Sequence, residues 1–237
     1  MGACAVNKAI PLDKGFWDDK LPVVGVALAS LPEPEVTVKI FSTTPFGRPK
    51  TLIMSSRYDQ DFDEEPYILR DQRHLWHYLN SHEMKEVTEL KDIFTQGLAS
   101  RGFRVVTIDE KIDLKGIPRY TPSESGHARR DYRGIYRVQG LDLLIVLNVM
   151  RYGTYCGYLD GHNIFTDVTA TITGEMVDLK TNRILWRSKY MAGRQQGSAS
   201  TRCDDPGTYS QIIKDLGSAF VESAVNVSND FFSGSSN

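Results

Sequence analysis

Residues 141–190 read LDLLIVLNVMRYGTYCGYLDGHNIFTDVTATITGEMVDLKTNRILWRSKY, and the fold is decided there. Leu141 to Met150 is the most apolar run in the chain. It has the length of a strand and is interrupted by Asp142 and Asn148, so it reads as a buried strand, far short of a membrane span. The strand continues to about Tyr158. Leu159 to Asn163 then places Asp160-Gly161 at the centre of a turn. Phe165 to Val177 alternates cleanly. Val168, Ala170, Ile172, Gly174 and Met176 share one face, and Thr169, Thr171, Thr173 and Glu175 share the other, as in an antiparallel strand with one side in the core. Asp178 to Asn182 is a second turn. Ile184, Trp186, Ser188 and Tyr190 define a third strand.

Outward from this meander, Pro22 to Ser30 is a short apolar strand bounded by prolines. Val36 to Phe41 and Thr51 to Met54 suit a hairpin around Pro45 to Pro49, but 31–70 as a whole is weakly patterned and reads as an excursion from the core. Residues 71–100 are helical in two pieces. Leu75, Trp76 and Leu79 form one apolar stripe, and Val87, Leu90, Ile93, Phe94 and Leu98 continue it. Asn80 to Glu83 suits a cap at the break. Phe103 to Asp109 is a strand, 116–126 a loop, and Arg129 to Val138 a short helix. A polar loop spans 192–207. Thr208 to Gln211 has the form of a capping box before a last amphipathic helix ending near Phe231. The expected fold class is α/β (α+β): a mixed parallel/antiparallel sheet with a C-terminal antiparallel meander, packed by about three helices. The expected division is 1–20 as N-terminal anchor and linker, 21–232 as a single domain with the excursion at 31–70, and 233–237 as a disordered tail.

The composition excludes several function classes. The 237 residues carry 28 Lys+Arg against 30 Asp+Glu, a net charge of -2, and 41% are hydrophobic. That is too apolar and too nearly neutral for a disordered chain, and it offers no global field to attract nucleic acid or an anionic membrane. Three Cys are too few for a disulfide scaffold. No phosphate loop, nucleophile elbow or metal-ligand spacing stands out, so no cofactor and no metal are expected.

The chain opens Met1-Gly2-Ala3-Cys4-Ala5-Val6. Small residues directly before a Cys resemble the end of a bacterial lipoprotein signal, in which cleavage precedes the Cys and its thiol carries diacylglycerol. Ala5 after that Cys favours outer-membrane sorting, by analogy with enterobacterial lipoproteins. Two other readings stay open: a eukaryotic acylation start, which wants Ser or Thr where Val6 stands, and an unmodified thiol. The hairpin carries a further resemblance. Thr169, Ala170, Ile172, Val177, Asp178, Lys180, Thr181, Leu185 and Trp186 resemble the closing hairpin of the small periplasmic domain shared by peptidoglycan-synthase activators, the curli secretion lipoprotein and the N-terminal part of TolB. VGVALASLPEP and LKDIFTQGLASRGFRVVTID are similar to stretches of uncharacterised proteobacterial lipoproteins. The likeness spans 21–30 and 72–232. It implies a non-enzymatic lipoprotein, anchored by lipid at the periplasmic face of the bacterial outer membrane, whose α/β domain docks onto an envelope protein.

Candidate sites follow. Arg129, Arg133 and Arg137, with Arg130, form a basic stripe at four-residue spacing on the short helix, suited to an acidic partner or to solvent. Tyr152, Tyr155, Tyr158 and Tyr190 crowd one end of the sheet, as a recognition surface or as core. His74 and His77 could share a helical face, but His82 and Glu83 fit no third ligand position. Glu124 and His127 are the one acid–base pair a hydrolase could use, with no nucleophile motif beside them. With Cys4 lipidated, Cys156 and Cys203 remain. Both leave from the same end of the meander, so they either form a disulfide in an oxidising compartment or stay free. The alternatives to the docking lipoprotein are a homo-oligomeric subunit of a secretion or envelope machine, with 31–70 as its contact, and a hydrolase using Glu124 and His127.

Overall fold

A computed structural model describes residues 8–18, 21–43, 49–55, 67–121, 126–136, 140–159, 162–189, 191–196 and 201–233. Among the described residues eight strands run in chain order: β1 (Val23–Leu28), β2 (Glu35–Thr43), β3 (Pro49–Ser55), β4 (Arg104–Thr107), β5 (Leu143–Leu159), β6 (His162–Asp178), β7 (Ile184–Arg187) and β8 (Met191–Gln196). The helices are α1 (Tyr67–Asn80), α2 (Glu86–Ala99), the single turn α3 (Arg133–Tyr136) and α4 (Tyr209–Phe232).

The long β5–β6 hairpin is the axis of one sheet. Each of its strands is 17 residues long, enough to carry two short strands end to end on its outer edge. Along β5 lie β1 beside Leu143 to Leu147 and β2 beside Gly153 to Leu159, both parallel. β4 and β3 lie outside them. Along β6 lie β7 and β8, both antiparallel. The sheet is therefore mixed, with an antiparallel C-terminal half and helices packed on it, as the hydrophobic patterning predicts.

Four local expectations are corrected. The 31–70 segment supplies β2 and β3, and Val36 and Val38 are buried in the main core, so its β2 portion is part of the fold and not an excursion. The polar stretch after Tyr190 is not all loop: Met191–Gln196 is β8, and its Gly193 lies so close to the Ala219 carbonyl of α4 that a methyl group would collide with it. Close helix–strand approach overrides the polar composition. Neither expected helix cap forms. α2 starts after Lys85 with no side-chain cap, and the Thr208 hydroxyl donates to the carbonyls of Arg202 and Asp205. Finally, residues 8–18 lie against the domain rather than standing off as a linker. Trp17 is buried against Phe103 and Phe231, and Ile10 pairs with Arg187.

A bulge in β5 decides which side chains enter the core. The register slips between Val149 and Arg151, leaving Met150 as the extra residue. One extra residue exchanges the faces of everything beyond it. Leu143, Ile145, Leu147 and Val149 face the helices before the bulge; Tyr152, Cys156 and Tyr158 face them after it. Tyr155 thereby moves to the opposite face.

On the helical side, α1, α2 and α4 bury the main core. Trp186 sits fully buried between Phe94 and Phe231 and donates its Nε1–H to Asp230 (3.1 Å). Gly174 makes room for it, since a Cβ there would lie 2.5 Å from the indole ring. No helix among the described residues is long and apolar enough to cross a membrane.

Among the described residues, the other face is covered at one end only. Ile112, Ile117, Ala128 and Tyr132 pack on Ala27, Leu144, Val146 and Val177 in a second, smaller core. Asn182 holds this flap down. It sits at φ 60° in the β6–β7 turn, a conformation Asn tolerates. Its buried side chain donates to the carbonyls of Ala128 (3.2 Å) and Arg130 (2.9 Å) and accepts from the Tyr132 N–H (3.2 Å). Asn182→Gly keeps the backbone permissive and removes only these bonds. We expect it to cost about 2 kcal/mol, because two carbonyls and one N–H lose partners in a largely buried setting. Chemical denaturation checks this, and a loss below about 0.5 kcal/mol would show that the flap is held by packing alone.

Candidate functional site: the face opposite the helices

Among the described residues, clefts open at two places on the sheet face that the helices leave free. The first, of about 310 Å³, lies over the uncovered end, with Glu35, Thr37, Arg151, Tyr155, Asp167 and Arg194 among its lining residues. Tyr155 stacks on Phe165 (5.8 Å between centroids, 15° between planes), and Phe165 extends toward Phe41 (6.4 Å). Gly157 exists because Phe165, opposite it in the register, lies over its backbone. Lys39 sits over Phe41 (4.9 Å). Asp167 is ion-paired to Arg194. This is an amphipathic surface of aromatic rings beside charged groups.

The second cleft, of about 260 Å³, lies where the flap meets the sheet, lined by Arg129, Arg130, Arg187, Glu175, Tyr132 and Asn148 with apolar Leu114, Val146 and Met150. Glu175 accepts from the Tyr132 hydroxyl (3.3 Å) and from Arg187 (3.3 Å). One carboxylate therefore serves one of three guanidinium groups.

The residues expected to form sites separate. Tyr152 and Tyr158 are buried in the main core, and Tyr152 packs on Phe220 (5.3 Å). Burial, then the charge of Glu33, pushes the Tyr152 phenol above its usual range. These two tyrosines are core, not a binding surface, and the bulge at Met150 is the reason. Of the three described tyrosines, Tyr155 is the one outside the main core, and it lines the open cleft; Tyr190 lies outside the described residues. The basic stripe does not form either. Helix α3 begins only at Arg133, so Arg129 precedes it, while Arg137 lies outside the described residues. Arg133 is turned onto its neighbour. It donates to both Asp131 oxygens (2.9 and 2.8 Å), which holds that carboxyl below the usual range, and lies over the Tyr120 ring.

Cys156 and Cys203 are joined by a buried disulfide with Cα atoms 6.2 Å apart. Arg202 and Asp204, flanking Cys203, pair with each other, and the guanidinium lowers the Asp204 carboxyl below its usual range. Cys4 and Glu124 lie outside the described residues. His127 stacks on Tyr120 (5.3 Å). His74 and His77 are exposed, and His82, beyond the end of α1, stacks on Tyr78 (5.8 Å). Among the described residues no group of three or more His, Cys, Asp or Glu could hold a metal ion.

Sequence reasoning missed Arg187, Glu175 and Arg194 as site residues. Glu175 and Asp167 carried a signal, since both stand on the polar side of the β6 alternation. Arg194 carried none, being hidden in a stretch read as loop.

A scan against protein-family models finds no match to this chain, and a search of curated proteins finds none either. Among solved structures, it is similar to the lipoprotein GNA1162 of Neisseria meningitidis, with 11% identity and a TM-score of 0.36 over 81% of this chain and 93% of that one. It is also similar to protein XCC0632 of Xanthomonas campestris, with 9% identity and a TM-score of 0.37 over 90% of this chain and 86% of that one. A third is the PelC dodecamer of Paraburkholderia phytofirmans, with 13% identity and a TM-score of 0.27 over 84% of this chain and 86% of that one. These are distant likenesses, and no function is carried over from them.

Proposed function

We propose that the chain is a non-enzymatic lipoprotein of the bacterial envelope. Lipid on Cys4 holds it at the periplasmic face of the outer membrane, and its α/β domain docks onto an envelope protein through the open cleft around Tyr155. The observation that carries this reading is the buried Cys156–Cys203 disulfide. Such a bond belongs to an oxidising compartment, and Cys4, behind its small residues, is the remaining cysteine of the sequence. Tethering then does the functional work: the anchor raises the domain's local concentration near its partner. Several acyl chains on one residue anchor stably where one chain would not. Tyr155, Phe165 and Phe41 supply rigid amphipathic contact area of the kind that concentrates binding energy.

Metabolic labelling with a palmitate analogue tests the anchor. The native gene product should take up label, and Cys4→Ser should abolish it. Equal labelling of the variant would sink the reading.

A further inference from the structure

We infer that the basic cleft between the flap and the sheet binds the phosphate-bearing head group of an anionic phospholipid. The inference rests on the reading that Cys4 carries lipid, since that is what brings a membrane within reach.

Three observations meet at the cleft. The first is charge. Three guanidinium groups line it against the one carboxylate of Glu175, which is already engaged by Arg187 and Tyr132. Among the described residues neither Arg129 nor Arg130 has an ion pair. Arg130 uses Nη1 on the Ile117 carbonyl (2.8 Å), which leaves most of its donors unused. Guanidinium forks match phosphate oxygens bidentately. With the whole chain at a net charge of -2, this cation cluster is local and not part of a general basic field.

The second is the apolar flank. Leu114, Val146 and Met150 line the same cleft, and Met150 is 40% exposed. Cations beside apolar side chains suit a phosphate ester joined to glycerol and methylene groups better than they suit a free inorganic anion.

The third is placement. Ile10 is fixed to Arg187 by two backbone hydrogen bonds (3.0 and 2.8 Å), and Arg187 lines the cleft. Cys4 is six residues before Ile10. Six residues span at most about 21 Å, so a lipid on Cys4 keeps the cleft within one short tether of the head-group layer. Polar contact at that surface is then intramolecular, with an effective concentration in the millimolar range.

Vesicle sedimentation tests this, using the full chain carrying Cys4→Ser so that no anchor contributes. We expect the protein to bind phosphatidylcholine vesicles containing about one-third phosphatidylglycerol, and not phosphatidylcholine alone. Arg129 is exposed, and among the described residues only its backbone carbonyl is engaged, by Tyr120 N–H. Arg129→Gln should therefore leave the fold intact by circular dichroism and weaken binding about fivefold, the worth of one cation near an anionic surface. Arg129→Lys should retain most of the affinity. Lys214→Gln, on α4 across the sheet, should change nothing. Equal binding to both vesicles would overturn the inference, as would an unchanged Arg129→Gln or an equal loss in Lys214→Gln. Glycerol phosphate free in solution should compete poorly; if it fills the cleft as well as the vesicle does, the site is one for a soluble phosphate ester and the lipid assignment falls. Because the assay omits the anchor, its failure would leave the Cys4 labelling result standing, and failed labelling would leave the Arg129-dependent vesicle preference standing.

Discussion

Trp186→Ala is expected to destabilise the protein by about 4 kcal/mol, within the usual range for deleting a large buried aromatic. The indole is fully buried and touches Phe94 of α2 and Phe231 of α4, so it joins the β7 edge of the sheet to two helices. Its neighbours cannot close the hole easily, because Gly174 beneath it has no side chain to move in. Its loss also leaves Asp230 without the indole N–H. Urea unfolding followed by circular dichroism measures the effect. Trp186→Phe should recover roughly half of it, by restoring ring contacts without the hydrogen bond. A loss under about 1 kcal/mol for Trp186→Ala would mean that α2 and α4 are held to the sheet independently of this residue.

Reducing the Cys156–Cys203 bond is the other large expected effect. The two residues are 47 apart in sequence, and closing a loop of that length contributes about 4 kcal/mol in the chain-entropy account. The bond ties β5 to the segment that leads into α4, beyond the described end of β8. Reduction should therefore lower the midpoint of unfolding and raise protease sensitivity at 201–207 before the rest of the described residues. The double variant Cys156→Ala with Cys203→Ala should match the reduced protein and become insensitive to reductant. A reduced protein as stable as the oxidised one would remove the bond from the stability account.

The hairpin at 141–186 was legible because its signals are local. A strict two-residue alternation in β6 and the Asp178 turn leave little choice of register. The Asp178 carboxylate accepts from Lys180 N–H (2.7 Å) and from the Thr181 hydroxyl (2.9 Å), so the turn needs no tertiary help. The tyrosines of β5 were not legible. Their faces depend on one extra residue at Met150, and a bulge leaves no periodicity to read until its partner strand is known. The β2–β3 hairpin was legible in Val36 to Phe41 and Thr51 to Met54, but the place of β2 beside β5 was obscured for a related reason. Its Lys39 and Phe41 lie on the open side of the sheet while Val36 and Val38 enter the core, and prolines at 32 and 34 interrupt the line it shares with β1 along β5. The basic cleft was out of reach because Arg129, Glu175 and Arg187 come from three separate segments that only the flap, pinned by Asn182, brings together.

The central claim joins an acylated Cys4 to a disulfide formed outside the cytoplasm. The most direct test is the intact mass of the native gene product, purified from membranes without reductant. The account predicts a chain beginning at Cys4, heavier by the lipid, and lighter by the two hydrogens lost in forming the Cys156–Cys203 bond. A chain with an unmodified Cys4 and two free thiols would contradict it.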